Sequence, residues 1–242
     1  MSPFLLFIHI PKAAGTSLRE VVDRQYGPDA VLTYYNQPTT SLLDNLGAMV
    51  ETGNGKYRAL IGHFRYGAHE TLKCPWKYVT VLRDPVTRTI SSYYQNLDEH
   101  PERLTRTDGS IMSLGDALEE MPDFFSNQQA LMLTSVPTIH HLSADIVEGC
   151  KQSLINDFAV VGVSELFAET LSLMSRSLGW RPYQAGHSNV TGPRPKTPQA
   201  VRDRIRELNR WDMDLYRFAR QQLEARVAQE CESTCNSENL GH

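Results

Sequence analysis

The first residues that could do chemistry are Lys12, Gly15, Thr16 and Ser17, which stand close together near the start of the chain. A lysine carries a full positive charge, and hydroxyl groups and the backbone N–H groups of a tight turn donate hydrogen bonds. At the N-terminus of a helix such donors bind phosphate-like anions, because the helix dipole favours negative charge there. The spacing predicts an anion site, and the alternative is a surface lysine on an ordinary turn.

This pattern differs from the usual nucleoside-triphosphate loop, in which lysine stands directly before Ser or Thr. Here Lys12 comes early in the loop and Gly15 directly precedes Thr16. The sequence offers no well-placed aspartate as a partner for magnesium. These differences argue against a P-loop kinase acting on a small molecule, which is the second interpretation. A nucleotide-binding module that has lost catalysis is a third.

Arg83 and Ser91 form a second candidate group. Arg83 directly follows an apolar stretch, and Ser91 lies two turns into the helix predicted after it. An arginine and a hydroxyl that face the same side of a sheet could share a phosphate. Alternatively, Arg83 and Asp84 form a simple ion pair at the start of the helix.

Strands and helices alternate along the chain and must position these groups. The patterns predict strands at 4–8, 30–35, 57–61, 76–82 and 158–163, and helices at 16–26, 38–50, 85–97, 113–121, 123–133, 144–156, 164–178 and 198–227. This alternation predicts an α/β fold, a P-loop-type parallel sheet flanked by helices on both faces, with a helical elaboration in the middle. Because ligands bind beyond the carboxyl ends of parallel strands, the polar groups that follow the strands should converge.

Two helix starts carry recognisable signals. Ser17 and Glu20 have the spacing of a capping box at the start of the first helix. Asp84 stands where it would cap the helix that begins at Pro85, since proline suits the first helical turn.

Composition limits the class of protein. The chain has 242 residues and a net charge of −4, so it has no general attraction to nucleic acid or anionic membrane. We expect one domain at 1–228 and a flexible tail at 229–242. The apolar run at 4–8 is too short to span a membrane, and we expect neither a signal peptide nor an anchor.

The four cysteines predict reduced thiols rather than a metal site. Cys74, Cys150, Cys231 and Cys235 form no C-x-x-C pair, and no histidine lies at zinc-ligand spacing from them. We therefore expect a cytoplasmic protein without a bound metal, although Cys231 and Cys235 could also pair with each other.

Two motifs carry a family resemblance. The segment 9–17, His-Ile-Pro-Lys-Ala-Ala-Gly-Thr-Ser, resembles the 5′-phosphosulfate loop of sulfotransferases that use 3′-phosphoadenosine 5′-phosphosulfate (PAPS). The segment 82–94, Leu-Arg-Asp-Pro through Ser-Ser-Tyr-Tyr, resembles their 3′-phosphate site. The pattern is most similar to the carbohydrate (heparan 2-O type) sulfotransferases and their bacterial relatives. Segments 61–64, 127–128 and 187–195 extend the resemblance.

The resemblance implies roles for the first motif. Lys12 would bind the 5′-phosphate and neutralise charge on the bridging oxygen as the sulfuryl group leaves. Ala14, Gly15, Thr16 and Ser17 would surround the 5′-phosphosulfate. No metal is required in this chemistry. The family's loop usually has Thr or a second Gly where this chain has Ala13 and Ala14, and backbone contacts tolerate alanine there.

The resemblance also implies a site for the rest of the nucleotide. Arg83 and Ser91 would hold the 3′-phosphate, which distinguishes PAPS from ATP. Asn189 would lie in a segment that closes over the nucleotide, with Arg194 or Lys196 as a further phosphate contact.

His63 is the candidate general base, because it directly follows a predicted strand and an ordinary histidine titrates near neutrality. The resemblance supports this role, and a structural histidine is the alternative. His69 and Glu70 are the fallback bases, and His9 is expected to shape the loop. The acceptor would be a hydroxyl of a glycan, a lipid head group or a small metabolite.

Overall fold

The computed structural model describes residues 2–35, 41–181 and 194–238, so the predicted contact Asn189 lies outside the described residues. The described residues form one five-stranded parallel sheet with the order β2-β3-β1-β4-β5. Its strands are β1 (Phe4–Ile8), β2 (Val31–Tyr34), β3 (Ala59–Gly62), β4 (Trp76–Leu82) and β5 (Phe158–Val163).

Helices connect the strands and follow the last one. They are α1 (Gly15–Tyr26), α2 (Ser41–Asp44), α3 (Leu46–Thr52), α4 (Pro85–Glu99), α5 (Leu114–Glu120), α6 (Pro122–Phe125), α7 (Gln128–Met132), α8 (Ala144–Asn156), α9 (Phe167–Leu178), α10 (Gln199–Leu208) and α11 (Arg210–Glu238). The helices α4 to α8 all lie between β4 and β5 and form the elaboration. The predicted fold class is confirmed.

Helices cover both faces of the sheet. All five residues of the central strand β1 are buried, which requires cover on both sides. The connection from β1 to β2 and that from β2 to β3 run in opposite directions along the sheet. Because such crossovers are right-handed, α1 lies on one face and α2 and α3 on the other.

The strand register places the residues that follow the strands at one edge. Ile8 of β1 pairs with Gly62 of β3 and with Thr80 of β4, and Tyr34 of β2 pairs with the same Gly62. The chain therefore leaves β1, β2 and β3 at the same level of the sheet. Gly62 is required there, because a Cβ atom would lie 2.0 Å from the carbonyl oxygen of Tyr34.

A second hydrophobic cluster fixes α4 to the elaboration. Val86 and Tyr93 of α4 pack with Leu104, Phe125 and Ile205, and all five side chains are buried. The opposite side of α4 is left facing the carboxyl edge of the sheet.

The predicted capping box at the first helix is wrong. The helix α1 begins at Gly15, so Ser17 and Glu20 both lie inside it, and Ala14 precedes it in the left-handed conformation without a side-chain cap. The Asp84 cap is confirmed, because its carboxylate accepts from the backbone N–H of Thr87 at 2.8 Å.

The predicted helix at 198–227 is divided at Asn209 into α10 and α11. The Asn209 side chain is fully buried and accepts from the N–H of Asn127 at 2.8 Å. The Asn127 side chain in turn accepts from the N–H groups of Trp211 and Asp212 and thus caps α11. These contacts join residues more than 80 positions apart, so the local periodicity of the sequence could not predict them.

The helix α11 continues to Glu238, past residue 228, at which we expect the domain to end. The division into a domain at 1–228 and a flexible tail stays a prediction. Within the described ranges, no helix is both long enough and apolar enough to span a membrane.

Candidate active site

The loop between β1 and α1 turns sharply to present backbone N–H groups. Lys12 and Ala14 both have positive φ angles, 67° and 57°. The first hydrogen bond of α1 runs from the N–H of Leu18 to the carbonyl of Ala14 (3.0 Å). The N–H groups of Gly15, Thr16 and Ser17 come before it and point toward the loop, as in an anion site at a helix N-terminus.

Gly15 lets the loop close against a histidine. A Cβ atom at this position would lie 1.3 Å from Nε2 of His9, so any larger residue would collide with the imidazole. The loop, the helix start and His9 therefore form one packed unit.

Arg83 connects this loop to the end of β4. Its Nη1 donates to the carbonyl oxygen of Lys12 at 2.9 Å. Two cations are thus held beside each other. Burial lowers the pKa of Lys12 below its usual value; Glu99 opposes this shift and Arg83 adds to it. Two neighbouring positive charges favour an anion between or beside them.

The backbone of Arg83 is held by a buried side chain. The carboxamide of Gln129 accepts from the N–H of Arg83 (3.0 Å) and donates to its carbonyl oxygen (2.9 Å). Gln129 is fully buried. Asp84 caps α4 and Arg83 bonds the Lys12 carbonyl, so each side chain has a partner other than the one that the alternative Arg83–Asp84 ion pair requires. The role of Arg83 as an anion ligand stays a prediction.

One cavity of about 560 Å³ collects these groups at the carboxyl edge of the sheet. The helix α4 contributes Thr87, Ser91 and Gln95, which are spaced four residues apart and so share one helix face. The rest of the lining is His9, Pro11, Lys12, Ala14, Gly15, Thr16, Ser17, His63, Arg83, Ser164 and Glu165.

A smaller recess of about 220 Å³ continues the cavity along α4 and shares Lys12, Arg83 and Ser91 with it. Arg194 lines this recess, where it is ion-paired with Asp98, and its guanidinium carbon lies 4.7 Å from the centre of the Tyr94 ring.

Of the two cations predicted near the last loop, the structure brings one to the site. Arg194 reaches the recess, whereas Lys196 is exposed and does not line it. The assignment of Lys196 as a phosphate contact has no support from these contacts and stays a prediction.

His63 lines the cavity, and two aromatic rings pack against its imidazole. Its ring centre is 4.7 Å from that of His9 and 4.9 Å from that of Tyr35. Partial burial lowers its pKa below the ordinary value. Burial, with a smaller contribution from His63, lowers the pKa of His9 to about 4. Both imidazoles are therefore neutral at pH 7.

The fallback bases lie elsewhere. Nδ1 of His69 is 2.9 Å from the hydroxyl oxygen of Tyr78, and its ring packs against Trp76 at 4.1 Å between centres. Glu70 is exposed on a short 3-10 helix. Neither residue lines the cavity. Of the three candidate bases, His63 is the one that lines the cavity, and its role as base stays a prediction.

Several residues of the site were not predicted from the sequence. Thr87 and Gln95 could have been found by continuing the helical spacing from Ser91. Tyr35, Gln129 and Glu165 follow from strand order and long-range packing, for which the sequence holds no local signal.

The acidic residue Glu165 also lines the cavity. Glu165 accepts from the N–H of Asp84 (3.1 Å) and from the hydroxyl of Tyr216 (3.1 Å). Among the residues that the structure describes, no group of three or more histidine, cysteine or acidic side chains is arranged to hold a metal ion.

Fold and site together define an α/β protein that binds a large anionic ligand at the carboxyl edge of a parallel sheet. The chain belongs to the sulfotransferase family, whose sequence model matches residues 2–219. The predicted resemblance to sulfotransferases is thereby confirmed, and the chain is an enzyme of sulfuryl transfer.

Similar proteins agree with this assignment. Human heparan sulfate 2-O-sulfotransferase 1 is 21% identical over 91% of this chain and 70% of its own length. Zebrafish (Danio rerio) heparan-sulfate 6-O-sulfotransferase 2 is 27% identical over 59% of this chain and 37% of its own length. A solved sulfotransferase from Alicyclobacillus acidocaldarius has the same fold, with a TM-score of 0.52 at 13% identity over 93% of this chain and 96% of that one.

Proposed function

We propose that the chain transfers a sulfuryl group from PAPS to a hydroxyl group of a glycan. The observation that carries the proposal is the single cavity in which the N-terminus of α1, Lys12, Arg83 and Ser91 meet beside His63. A nucleotide with phosphate groups at both its 5′ and 3′ positions needs cationic and hydroxyl donors at two places, and this donor set fits that requirement.

PAPS, when bound, supplies a sulfuryl group on a good leaving group, and the chain's own residues do the rest. The N–H groups of Gly15 to Ser17 and the Lys12 ammonium would hold the 5′-phosphosulfate. Arg83 and Ser91 would hold the 3′-phosphate, and Arg194 lies near enough to the same recess to add a contact. Gln129 keeps the backbone of Arg83 in place for this contact.

Neutral His63 would accept the proton of the acceptor hydroxyl. As the acceptor oxygen forms its bond to sulfur, the bond between sulfur and the bridging oxygen breaks. Lys12 would stabilise the negative charge that develops on that bridging oxygen. Catalysis then rests on positioning and on charge stabilisation, as in phosphoryl transfer.

A glycan is the acceptor class that we favour, because the curated relatives are named as heparan sulfate sulfotransferases. The cavity opens beside His63, and so a hydroxyl at the end or edge of a larger molecule could reach the base. A lipid head group or a small metabolite could also present a hydroxyl group to His63. The experiment below distinguishes these acceptor classes from a glycan.

The test is transfer of ³⁵S-labelled sulfuryl from PAPS, without added metal, to 2-O-desulfated heparin oligosaccharides, to glycolipid vesicles and to simple phenols and alcohols. We expect label in the oligosaccharides. We expect Lys12→Ala to reduce transfer by about 100-fold or more, the size of loss typical when a preorganised charge donor is removed. Label in the phenols or vesicles alone would overturn the glycan assignment, and label in none of them would contradict PAPS as donor.

The cytoplasmic location stays a proposal. Its support is that Cys74 and Cys150, the cysteines whose side chains are described, are both free thiols. Disulfides are rare in reducing compartments. Expression with a fluorescent tag in the native host would test it, and recovery outside the cytoplasm would contradict it.

A further inference from the structure

Three rings meet where the chain leaves neighbouring strands. His9, Tyr35 and His63 are each the first residue after their strand, and the strands β2, β3 and β1 are neighbours in that order. The sheet ladder continues into this level, because His9 N–H donates to Gly62 and His63 N–H donates to Tyr34. The three side chains thus start from fixed backbone positions.

Each of the three rings packs against the other two. The centres of His9 and His63 are 4.7 Å apart, those of Tyr35 and His63 4.9 Å, and those of His9 and Tyr35 5.4 Å. Tyr35 meets both histidines edge-on, with interplanar angles of 74° and 84°. Such edge contacts fix the relative angle of two rings.

The Tyr35 hydroxyl also bonds His9. Its oxygen lies 2.9 Å from Nδ1 of His9. Burial raises the pKa of Tyr35 to about 12, and the nearby positive charge of Arg19 opposes part of this shift. Arg19 is itself held by Asp23, with Nε and Oδ2 2.6 Å apart. The phenol therefore keeps its hydrogen at pH 7 and can donate it to Nδ1 of His9, an arrangement in which the proton of neutral His9 lies on Nε2.

We propose that Tyr35 is a positioning residue for sulfuryl transfer: its hydroxyl fixes the His9 ring, and the two rings together orient the His63 imidazole toward the acceptor hydroxyl. The inference rests on the proposed function, because His63 receives a proton only if a hydroxyl is sulfated. Tyr35 itself does not line the main cavity, so it acts through the histidines.

The test compares kcat and KM for sulfuryl transfer in Tyr35→Phe, His9→Asn and the double variant. Asparagine keeps a polar group near the Nδ1 position of histidine but loses the ring that packs on His63. We expect kcat to fall about tenfold in each single variant, while KM for PAPS changes less than twofold. The double variant should fall no further than the worse single variant, since both changes break one unit.

Tyr66→Phe is the matched control. Its hydroxyl donates to Asp157 at 2.6 Å, outside the three-ring cluster, so the variant loses a comparable bond elsewhere. We expect its kcat to equal that of the wild type. Calorimetric binding of 3′-phosphoadenosine 5′-phosphate checks that each variant is folded.

Nuclear magnetic resonance gives a readout that does not depend on activity. Long-range ¹H–¹⁵N spectra should show His9 as the Nε2–H tautomer in the wild type, and Tyr35→Phe should change the signals of both His9 and His63. If the wild type transfers sulfuryl and Tyr35→Phe keeps full kcat, the inference is wrong. If the wild type transfers none, the proposed function fails, and the spectra alone decide whether Tyr35 orders the two rings.

Discussion

His63 has the two properties that a general base in this cavity needs. It opens to the cavity, and its pKa is lowered by partial burial against its neighbours, which keeps the imidazole neutral at pH 7. The strand ending at Gly62 sets its position, and the sequence predicted that position because His63 stands just after an apolar run. Its packing against His9 and Tyr35 could not be predicted, because it depends on the register of three strands.

A pH profile tests this role. Protonated His63 cannot accept a proton, so kcat/KM should be constant at neutral pH and fall as the pH drops through the lowered pKa, with a midpoint below 6.5. His63→Ala should lose about 10²- to 10⁴-fold in kcat/KM together with the acidic limb.

His69→Gln is the control for this profile, because His69 was the fallback base and packs against Trp76 and Tyr78 outside the cavity. This variant should keep both the kcat/KM of the wild type and the acidic limb of its pH profile. An unchanged profile in His63→Ala, or loss of the limb in His69→Gln, would assign the base elsewhere.

At the scale of elements, the position of Arg83 depends on a buried contact between α7 and α11. Asp212 of α11 is fully buried and accepts from the N–H groups of Gln129 and Ala130, at 3.1 and 2.7 Å. Burial raises the pKa of Asp212, and the nearby buried guanidinium of Arg88 opposes that shift. Asp212 thus holds the helix start from which Gln129 reaches Arg83.

Removing this carboxylate should destabilise the protein strongly. Asp212→Ala leaves two buried N–H groups without their acceptor and the buried Arg88 charge without the nearby opposite charge, and we expect a loss of about 3–5 kcal/mol in the free energy of unfolding. Asp214, two residues on, forms an ion pair with Lys151, and the Asp214 side chain is 38% exposed. Asp214→Ala should therefore reduce the free energy of unfolding by less than about 1 kcal/mol. Urea unfolding measures both. Equal losses in the two variants would show that the buried contact stabilises the protein no more than the exposed ion pair does.

Most elements were predictable because their signals are local. The buried run Phe4–Ile8, the Asp84 cap and the strand at 158–163 all follow from neighbouring residues. The break at Asn209 and the start of α1 at Gly15 were not predicted. The first depends on bonds to Asn127, and the second on a loop whose Lys12 and Ala14 adopt positive φ angles that favour glycine in most proteins.

At the scale of the whole molecule, the charge is negative while the site is positive. The net charge of −4 gives no general attraction to a nucleotide, so in the proposed function binding depends on Lys12, Arg83 and the helix N-terminus, which line one cavity. The order of the strands brings these groups together from positions more than 70 residues apart. The parallel sheet is therefore what turns separate motifs into one nucleotide site.

The most direct measurement is calorimetric titration with 3′-phosphoadenosine 5′-phosphate and with adenosine 5′-phosphate, without magnesium. The two ligands differ only in the 3′-phosphate, which we assign to Arg83 and Ser91. Charge-assisted hydrogen bonds contribute about 1.5–3 kcal/mol each, so the first ligand should bind about 10- to 100-fold more tightly or better. In Arg83→Ala most of that difference should disappear. Equal binding of the two ligands by the wild type, or binding that requires magnesium, would contradict the PAPS site and favour a kinase-like nucleotide site.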